Sequence, residues 1–220
     1  LHPGLGGGDM KKTVAVIFDF DGVLAESVDV KTMAFAQMYA PYGDDVVQRV
    51  VDYHKEHGGV SRFEKFRRFH EMIYKEPLPA DQEKALGEIF SRLVKDAVVN
   101  APWVPGAREF LKAFHAEMAM FVASGTPEEE MREIVHRRSM DHFFVSVHGS
   151  PASKAQIIDR ICTIHGFERE AVLMVGDAIT DYEGALSAGV RFVGRCPEGR
   201  SVFPPGVPVM ADLRRLPEYC

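Results

Sequence analysis

The sequence contains no apolar run approaching the ~18 to 20 residues that cross a bilayer as a helix, which removes the transmembrane-helix class at the outset. It also lacks any excess of positive charge. Its 26 Lys and Arg stand against 32 Asp and Glu, a formal net charge of −6, so no basic field recommends nucleic acid as a partner. Cysteine is scarce: Cys162, Cys196 and Cys220 are widely spaced and odd in number. They form no CxxC pair and no disulfide framework, and they read as reduced thiols of a cytoplasmic protein. No internal repeat or low-complexity stretch occurs beyond the cluster Gly4, Gly6, Gly7 and Gly8. That cluster follows no strand and opens no helix, so it is not a dinucleotide loop. Residues 1–9 read instead as an expression-tag remnant ahead of Met10.

What is present is an ordinary globular composition, 46% hydrophobic and 26% charged over 220 residues. It suffices for one large domain or a core with a smaller second unit. Short apolar runs at 14–18, 118–123, 143–147, 171–175 and 190–193 have the character of strands buried on both faces. Helical patterns over 105–115, 127–138, 154–165 and 181–188 separate the last four. This alternation predicts a parallel sheet covered by helices, an α/β core. One interval breaks the rhythm. From Leu24 to about Asn100 only helical stretches occur, over 28–40, 44–57, 61–75 and 80–98. They predict an all-helical insertion between the first and second strands, with Pro102, Pro105 and Gly106 suited to a return hinge.

In an open parallel sheet, ligands bind beyond the carboxyl ends of the strands, so the residues after each strand carry the chemistry. The first strand ends in Asp19-Phe20-Asp21-Gly22 and the second in Ser124-Gly125-Thr126. Lys154 opens the helix after the third, and Gly176-Asp177 follows the fourth with Asp181 beyond. Four carboxylates gathered at one sheet end repel, and they call for shifted pKa values or a bound cation. An all-oxygen ligand set favours a hard cation such as Mg²⁺. The Lys154 amine, the Ser124 hydroxyl and the Gly125 backbone suit the oxygens of a phosphate. Carboxylates, Mg²⁺ and phosphate ligands together point to phosphoryl transfer.

In this order, DFDGVL (19–24), SGT (124–126), Lys154 and GDAITD (176–181) resemble the four motifs of the haloacid dehalogenase superfamily. The helical insertion directly after the first motif resembles the cap of its phosphoglycolate phosphatase and β-phosphoglucomutase branch. The resemblance spans residues 13–211. It implies a Rossmann-like parallel α/β core from 13–24 and 100–220, carrying an all-helical cap over 25–99.

The same resemblance implies that Asp19 is the nucleophile that forms an aspartyl-phosphate, and that Asp21 is the general acid and then the base. Mg²⁺ would be held by Asp19, the Asp21 backbone carbonyl and Asp177, with Asp181 bound to it directly or one hydrogen bond removed. Ser124, Gly125 and Lys154 would hold the phosphoryl oxygens, with Phe20 in the same binding set. Two departures from the family pattern occur: Ala155 follows the lysine where proline is common, and Ala25-Glu26-Ser27 stands where an Asp-Ser pair is common.

The implied function is a Mg²⁺-dependent phosphatase for a small phosphorylated metabolite, a sugar phosphate or a phosphoglycolate-like acid, working as a monomer or homodimer. A phosphomutase of the β-phosphoglucomutase type and a non-catalytic binding protein on the same fold remain as alternatives. The dehalogenase branch lacks the acid that Asp21 supplies here. A phosphonatase would use a cap lysine, for which Lys55 and Lys65 are present, and Asp21 argues against it. In the cap segment 60–74, Phe63, Phe66, His70 and Ile73 share an apolar helix face. Arg62 borders that face and is the cap candidate for substrate contact, whereas Lys65, Arg67 and Arg68 read as a solvated face. His148 reads as a loop histidine.

Overall fold

The structure, a computed structural model, describes residues 12–197 and 201–220. The proposed tag remnant at 1–9 lies outside the described residues. The core strands are β1 (Ala15–Phe18), β2 (Ala119–Pro127), β3 (Ser146–Ser150), β4 (Val172–Gly176), β5 (Arg191–Arg195) and β6 (Val209–Met210). They form a six-stranded sheet in the order β3-β2-β1-β4-β5-β6, and each neighbouring pair is parallel. Every residue of β1 is buried. Ala15 and Ile17 face one apolar cluster and Val16 and Phe18 the other, the two-residue alternation of a strand covered on both sides.

Helices α5 (Ala107–Phe114), α6 (Glu128–Arg137), α7 (Lys154–His165) and α8 (Ile179–Ala188) supply that cover. The cap is four helices, α1 (Val28–Tyr39), α2 (Asp44–Glu56), α3 (Arg62–Tyr74) and α4 (Ala80–Asn100), as the sequence pattern predicts. Phe35 organises their interior. Its ring meets those of His54, Phe66, Phe69 and Phe90 at centroid distances of 4.8, 5.9, 5.6 and 4.5 Å, and aromatic pairs in this range add to simple burial.

The cap is joined to the core by two segments that lie side by side. Ala25 bridges Trp103 in antiparallel fashion, the Glu26 N–H donates to the Pro102 carbonyl and the Val104 N–H to that of Leu24. Arg138 fastens the same place: its guanidinium donates to the carbonyls of Val98, Val99 and Ala101 at 2.8–2.9 Å, a cation on the negative end of α4.

One strand expectation needs correction, and one short strand was not foreseen. The third strand is β3 at 146–150, not 143–147. Phe143 lies in a short 3-10 turn over Asp141–Phe143 and buries its ring in the core, so the Phe143-Phe144 pair imitates a strand start. His148 is consequently a strand residue, with Nε2 2.7 Å from the Ser146 hydroxyl. The short β6 at the sheet edge has no periodicity to betray it. Among the described residues the three cysteines are free thiols, and no helix is long and apolar enough to cross a membrane.

His54 gives the cap a pH signature. Burial first, then the Lys65 and Lys31 charges, push its pKa down from 6.5 to about 3. The unfolded chain takes up this proton near 6.5 and the folded chain does not, so the stability contribution is complete above that value and is lost as pH falls toward about 3. The wild-type melting temperature should therefore fall further between about pH 7 and about pH 5 than that of His54→Gln. Equal falls in both proteins would contradict this assignment.

Candidate active site

Strand register assembles the site. Phe18 pairs with Val122 on one side and Val175 on the other, so Asp19, Ser124 and Asp177 emerge at one level of the sheet. The Asp19 N–H donates to the Val175 carbonyl at 2.9 Å, and the following loop folds back through Leu24 and Ala25 N–H groups onto the Phe20 carbonyl. At Gly22, with φ +75°, a Cβ would lie 2.0 Å from Asp177 Oδ2. Only a residue without a side chain permits that approach.

Lys154 stands at the first position of α7 because Ser153 and Gln156 form a reciprocal capping box there. This cap defines the helix start although proline is missing after the lysine. The Lys154 ammonium is 2.7 Å from an oxygen of Asp19 and 2.7 Å from one of Asp181, and it donates to the Ala123 carbonyl. Asp181, fully buried, also accepts from the Ala178 N–H at 3.1 Å, which orders the start of α8.

Carboxylate oxygens of Asp19, Asp177 and Asp181 lie within 4.8 Å of one another. Burial, moderated by Lys154 and aggravated by the Asp181 and Asp21 charges, pushes Asp19 above its ordinary value. Asp177 rises for the same reason, burial first and then the charges of Asp19 and Asp181. For Lys154, the attraction of Asp181 and Asp19 outweighs burial and raises its pKa. One ammonium thus faces three carboxylates. Two like charges ~4 Å apart repel by about 4 kcal/mol at an effective dielectric of 20, so this oxygen-only cluster is suited to a divalent hard cation. The chemistry of the donor set and the side-chain-free approach at Gly22 both fit Mg²⁺.

Asp21 stands apart from that cluster. Its carboxylate accepts from the Ser27 hydroxyl at 2.6 Å and from the Lys31 ammonium, and Lys31 also donates to the Thr126 hydroxyl at 2.8 Å. Burial would raise the Asp21 carboxyl, but Lys31 and Ser27 outweigh it and hold its pKa below the ordinary value. Neither Lys31 nor Thr126 was among the sequence candidates. Lysine in the first turn of a helix opposes the helix dipole unless an anion sits nearby, and Lys31, in the first turn of α1, carries that signal. Glu26, in the departure from the Asp-Ser pattern, is held by both guanidinium nitrogens of Arg195 at 2.7 and 2.9 Å.

The expected phosphate ligands are distributed unevenly. A cavity of about 330 Å³ between core and cap is lined by Asp19, Asp21, Gly125, Thr126 and Asp177 from the core, and by Lys31, His54, Arg62 and Lys65 from the cap. Ser124 is 1% exposed, and its hydroxyl accepts from the Thr126 N–H at 3.1 Å; it borders an adjoining cleft with Gly125 and Lys154. The Phe20 ring is wholly buried in the apolar core and lies outside the cavity wall. Arg62 does face the cavity, but its guanidinium is committed to Glu130 of α6 at 2.6 and 3.0 Å and to Ser91 at 2.9 Å. The solvated-face reading of the cap cations holds for Arg67 and Arg68 and fails for Lys65, which is 2% exposed. Phe69 is the reason: it is buried beside Arg62 and Lys65 and draws the packed face of α3 over both.

The cap loop rests directly on the core. Thr180 Oγ1 donates to the Gly58 carbonyl at 3.0 Å, and a Cβ on Gly125 would lie 2.5 Å from the Gly59 carbonyl. With the Arg62–Glu130 pair, these contacts close the cavity from above.

The haloacid dehalogenase-like hydrolase family profile matches residues 13–189. The phosphorylated carbohydrates phosphatase of Thermotoga maritima is 25% identical over 186 residues, covering 80% of this chain and 82% of the relative. The phosphoglycolate phosphatase of Synechococcus elongatus is 25% identical over 180 residues, covering 80% of each. The structure of CbbY from Rhodobacter sphaeroides, solved in complex with phosphate, matches with a TM-score of 0.71 at 20% identity, over 93% of this chain and 96% of its own. At that identity the likeness is one of fold.

Removing one partner of a buried ion pair costs about 3–5 kcal/mol if the other stays buried, so the cap of Glu130→Ala should open to rehydrate Arg62. Amide exchange of residues 58–62 should accelerate relative to β1 and β4. Unchanged exchange in that segment would rule out a latch role for the pair.

Proposed function

Because the chain belongs to the haloacid dehalogenase-like hydrolases, we propose that it is a Mg²⁺-dependent phosphatase. Its substrate class is small phosphorylated metabolites, sugar phosphates or phosphoglycolate-like acids, and the reaction passes through an aspartyl-phosphate. The observation that carries this reading is the Lys154 ammonium, 2.7 Å from both Asp19 and Asp181 beneath a cavity that the cap closes. Two relatives bearing the names of a phosphorylated carbohydrates phosphatase and a phosphoglycolate phosphatase support the substrate class.

Asp19 attacks phosphorus in line with the ester oxygen, and the ester P–O bond breaks as the Asp19–phosphorus bond forms. Lys154 neutralises Asp19 beforehand and attracts the phosphoryl oxygens afterwards. Asp21 delivers to the departing alkoxide a proton that it first takes up from solvent, because Lys31 and Ser27 favour its ionised form. It then takes a proton from the water that cleaves the aspartyl-phosphate. Lys31, Ser27 and Thr126 hold the Asp21 carboxyl at the cavity wall, separate from the nucleophile. Mg²⁺ would be held by Asp19, the Asp21 carbonyl and Asp177, with Asp181 beside them; bound there, it supplies the charge that balances the carboxylates and the phosphoryl group. Closure of the cap keeps bulk water from the intermediate.

Asp19→Asn should lose aryl-phosphatase activity by several orders of magnitude while its circular dichroism is unchanged. A chelator should abolish wild-type turnover, with Mg²⁺ restoring it. Asp21→Asn should still release a burst of aryl alcohol, whose good leaving group needs no acid, and then stall as phosphoenzyme. Full activity in Asp19→Asn would eliminate the mechanism, and isomerisation of a sugar monophosphate without phosphate release would reassign the protein as a mutase.

A further inference from the structure

Among the described residues the buried charged groups around the cavity are matched, except Asp177, which belongs to the carboxylate cluster, and one cation. Asp19 and Asp181 face Lys154, Asp21 faces Lys31, and Arg62 faces Glu130. Lys55 and Glu56, of opposite sign, lie exposed at the rim. Lys65 also lines the cavity and is 2% exposed, yet among the described residues no carboxylate forms an ion pair with it. Its ammonium meets only His54, 2.8 Å from Nδ1 and 3.5 Å from the carbonyl, and lies 5.9 Å from the centre of the Phe35 ring.

An ammonium buried without a counter-charge is costly. Burial first, and then the Lys31 charge, lower the Lys65 pKa from 10.5 to about 7. His54 cannot supply the missing charge. A charged Lys65 can only donate to Nδ1, which would place the imidazole proton on Nε2, and the depressed pKa of His54 keeps it neutral. Its role is to aim the ammonium. A lone, oriented amine in the wall of a substrate cavity, whose charged form an arriving anion would stabilise, is a binding group awaiting that anion.

Resting on the phosphatase reading above, we infer that the substrate carries a carboxylate at the end remote from its phosphate, and that Lys65, held by His54, is the receptor for it. The substrate class is thereby narrowed to phosphorylated hydroxy acids and sugar acids. A carboxylate fits better than a second phosphate because the corner offers one positive charge. Both terminal nitrogens of Arg62 are already bonded to Glu130, and Phe35 and Phe90 form the adjacent walls. A phosphate dianion there would keep one charge unmatched in an apolar setting. The phosphoryl end is fixed at Asp19 in the core, while Lys65 belongs to the cap helix α3, so the two anionic groups of one molecule would span core and cap.

The test compares matched pairs of phosphate monoesters differing in one carboxylate: phosphoglycerate against glycerol phosphate, and phosphogluconate against glucose phosphate. Wild-type kcat/KM should favour the acid in at least one pair by about 30-fold or more, the size expected for one buried, hydrogen-bonded charge pair. In Lys65→Met the ratio should collapse toward unity, chiefly through KM for the acid, and Lys65→Arg should restore part of it. His54→Leu, which removes the orienting acceptor, should reduce the same ratio and serves as an independent variant. No preference in either wild-type pair, or a preference that survives Lys65→Met, overturns the inference, as does selective hydrolysis of sugar bisphosphates over both acids. Calorimetric binding of the same four compounds to the Mg²⁺-loaded protein separates this from the parent reading. Tighter, Lys65-dependent binding of the acids without turnover would sink the phosphatase and retain the carboxylate receptor, whereas turnover without that selectivity would do the reverse.

Discussion

Repulsion among the carboxylates at the end of β1 and β4 is the constraint to which the rest of the molecule answers. Asp19, Asp177 and Asp181 lie within 4.8 Å of one another, and Lys154 is the only ammonium paired with them among the described residues. The sheet can tolerate this because the strain is electrostatic and local. The backbone around it is satisfied by register with β2 and β4, by the capping box of α7 and by the Asp181 bond that starts α8. The excess of negative charge at the sheet end is what suits the site to a hard divalent cation.

The cap answers a different requirement. Its interior is aromatic and packed around Phe35, but the surface it turns to the core carries Lys31, His54, Arg62 and Lys65. Each cation has a distinct use there: Lys31 restrains Asp21, Arg62 joins α3 to α6, and Lys65 is held ready for substrate. Together they make the upper half of the cavity positive where the lower half is negative. Closing the cap on an anionic ligand is therefore favoured by charge at the cap end, whereas the negative core end accepts such a ligand beside a bound cation.

Much of the core was legible because a strand buried on both faces leaves an unbroken apolar run, and because Asp, Gly and Ser at its end mark where the backbone stops being covered. Asp19, Asp177, Asp181 and Lys154 could be brought together on paper for that reason. Long-range partnerships could not. Glu130 sits in a run of three glutamates that reads as ordinary charge at a helix start, and its partner Arg62 is 68 residues away in sequence. Lys65 was misjudged because a helix packed against more than one neighbour buries a wider arc than its apolar stripe announces. Phe143-Phe144 shifted the third strand because two aromatic residues fit a core turn as well as they fit a pleat.

The paired linkers at Ala25 and Trp103 have a consequence for how such a protein can change. A long insertion whose two ends are already neighbours adds little closure entropy to the core, and that entropy grows only slowly with length. Asp19, Asp177 and Asp181 are set at the ends of strands that the insertion never interrupts. The helical unit can thus be lengthened, repacked or given new charges beyond Lys31 while the carboxylate cluster below stays as it is. In this architecture, selectivity and reactivity are inherited as separable parts, joined at a doorway two residues wide.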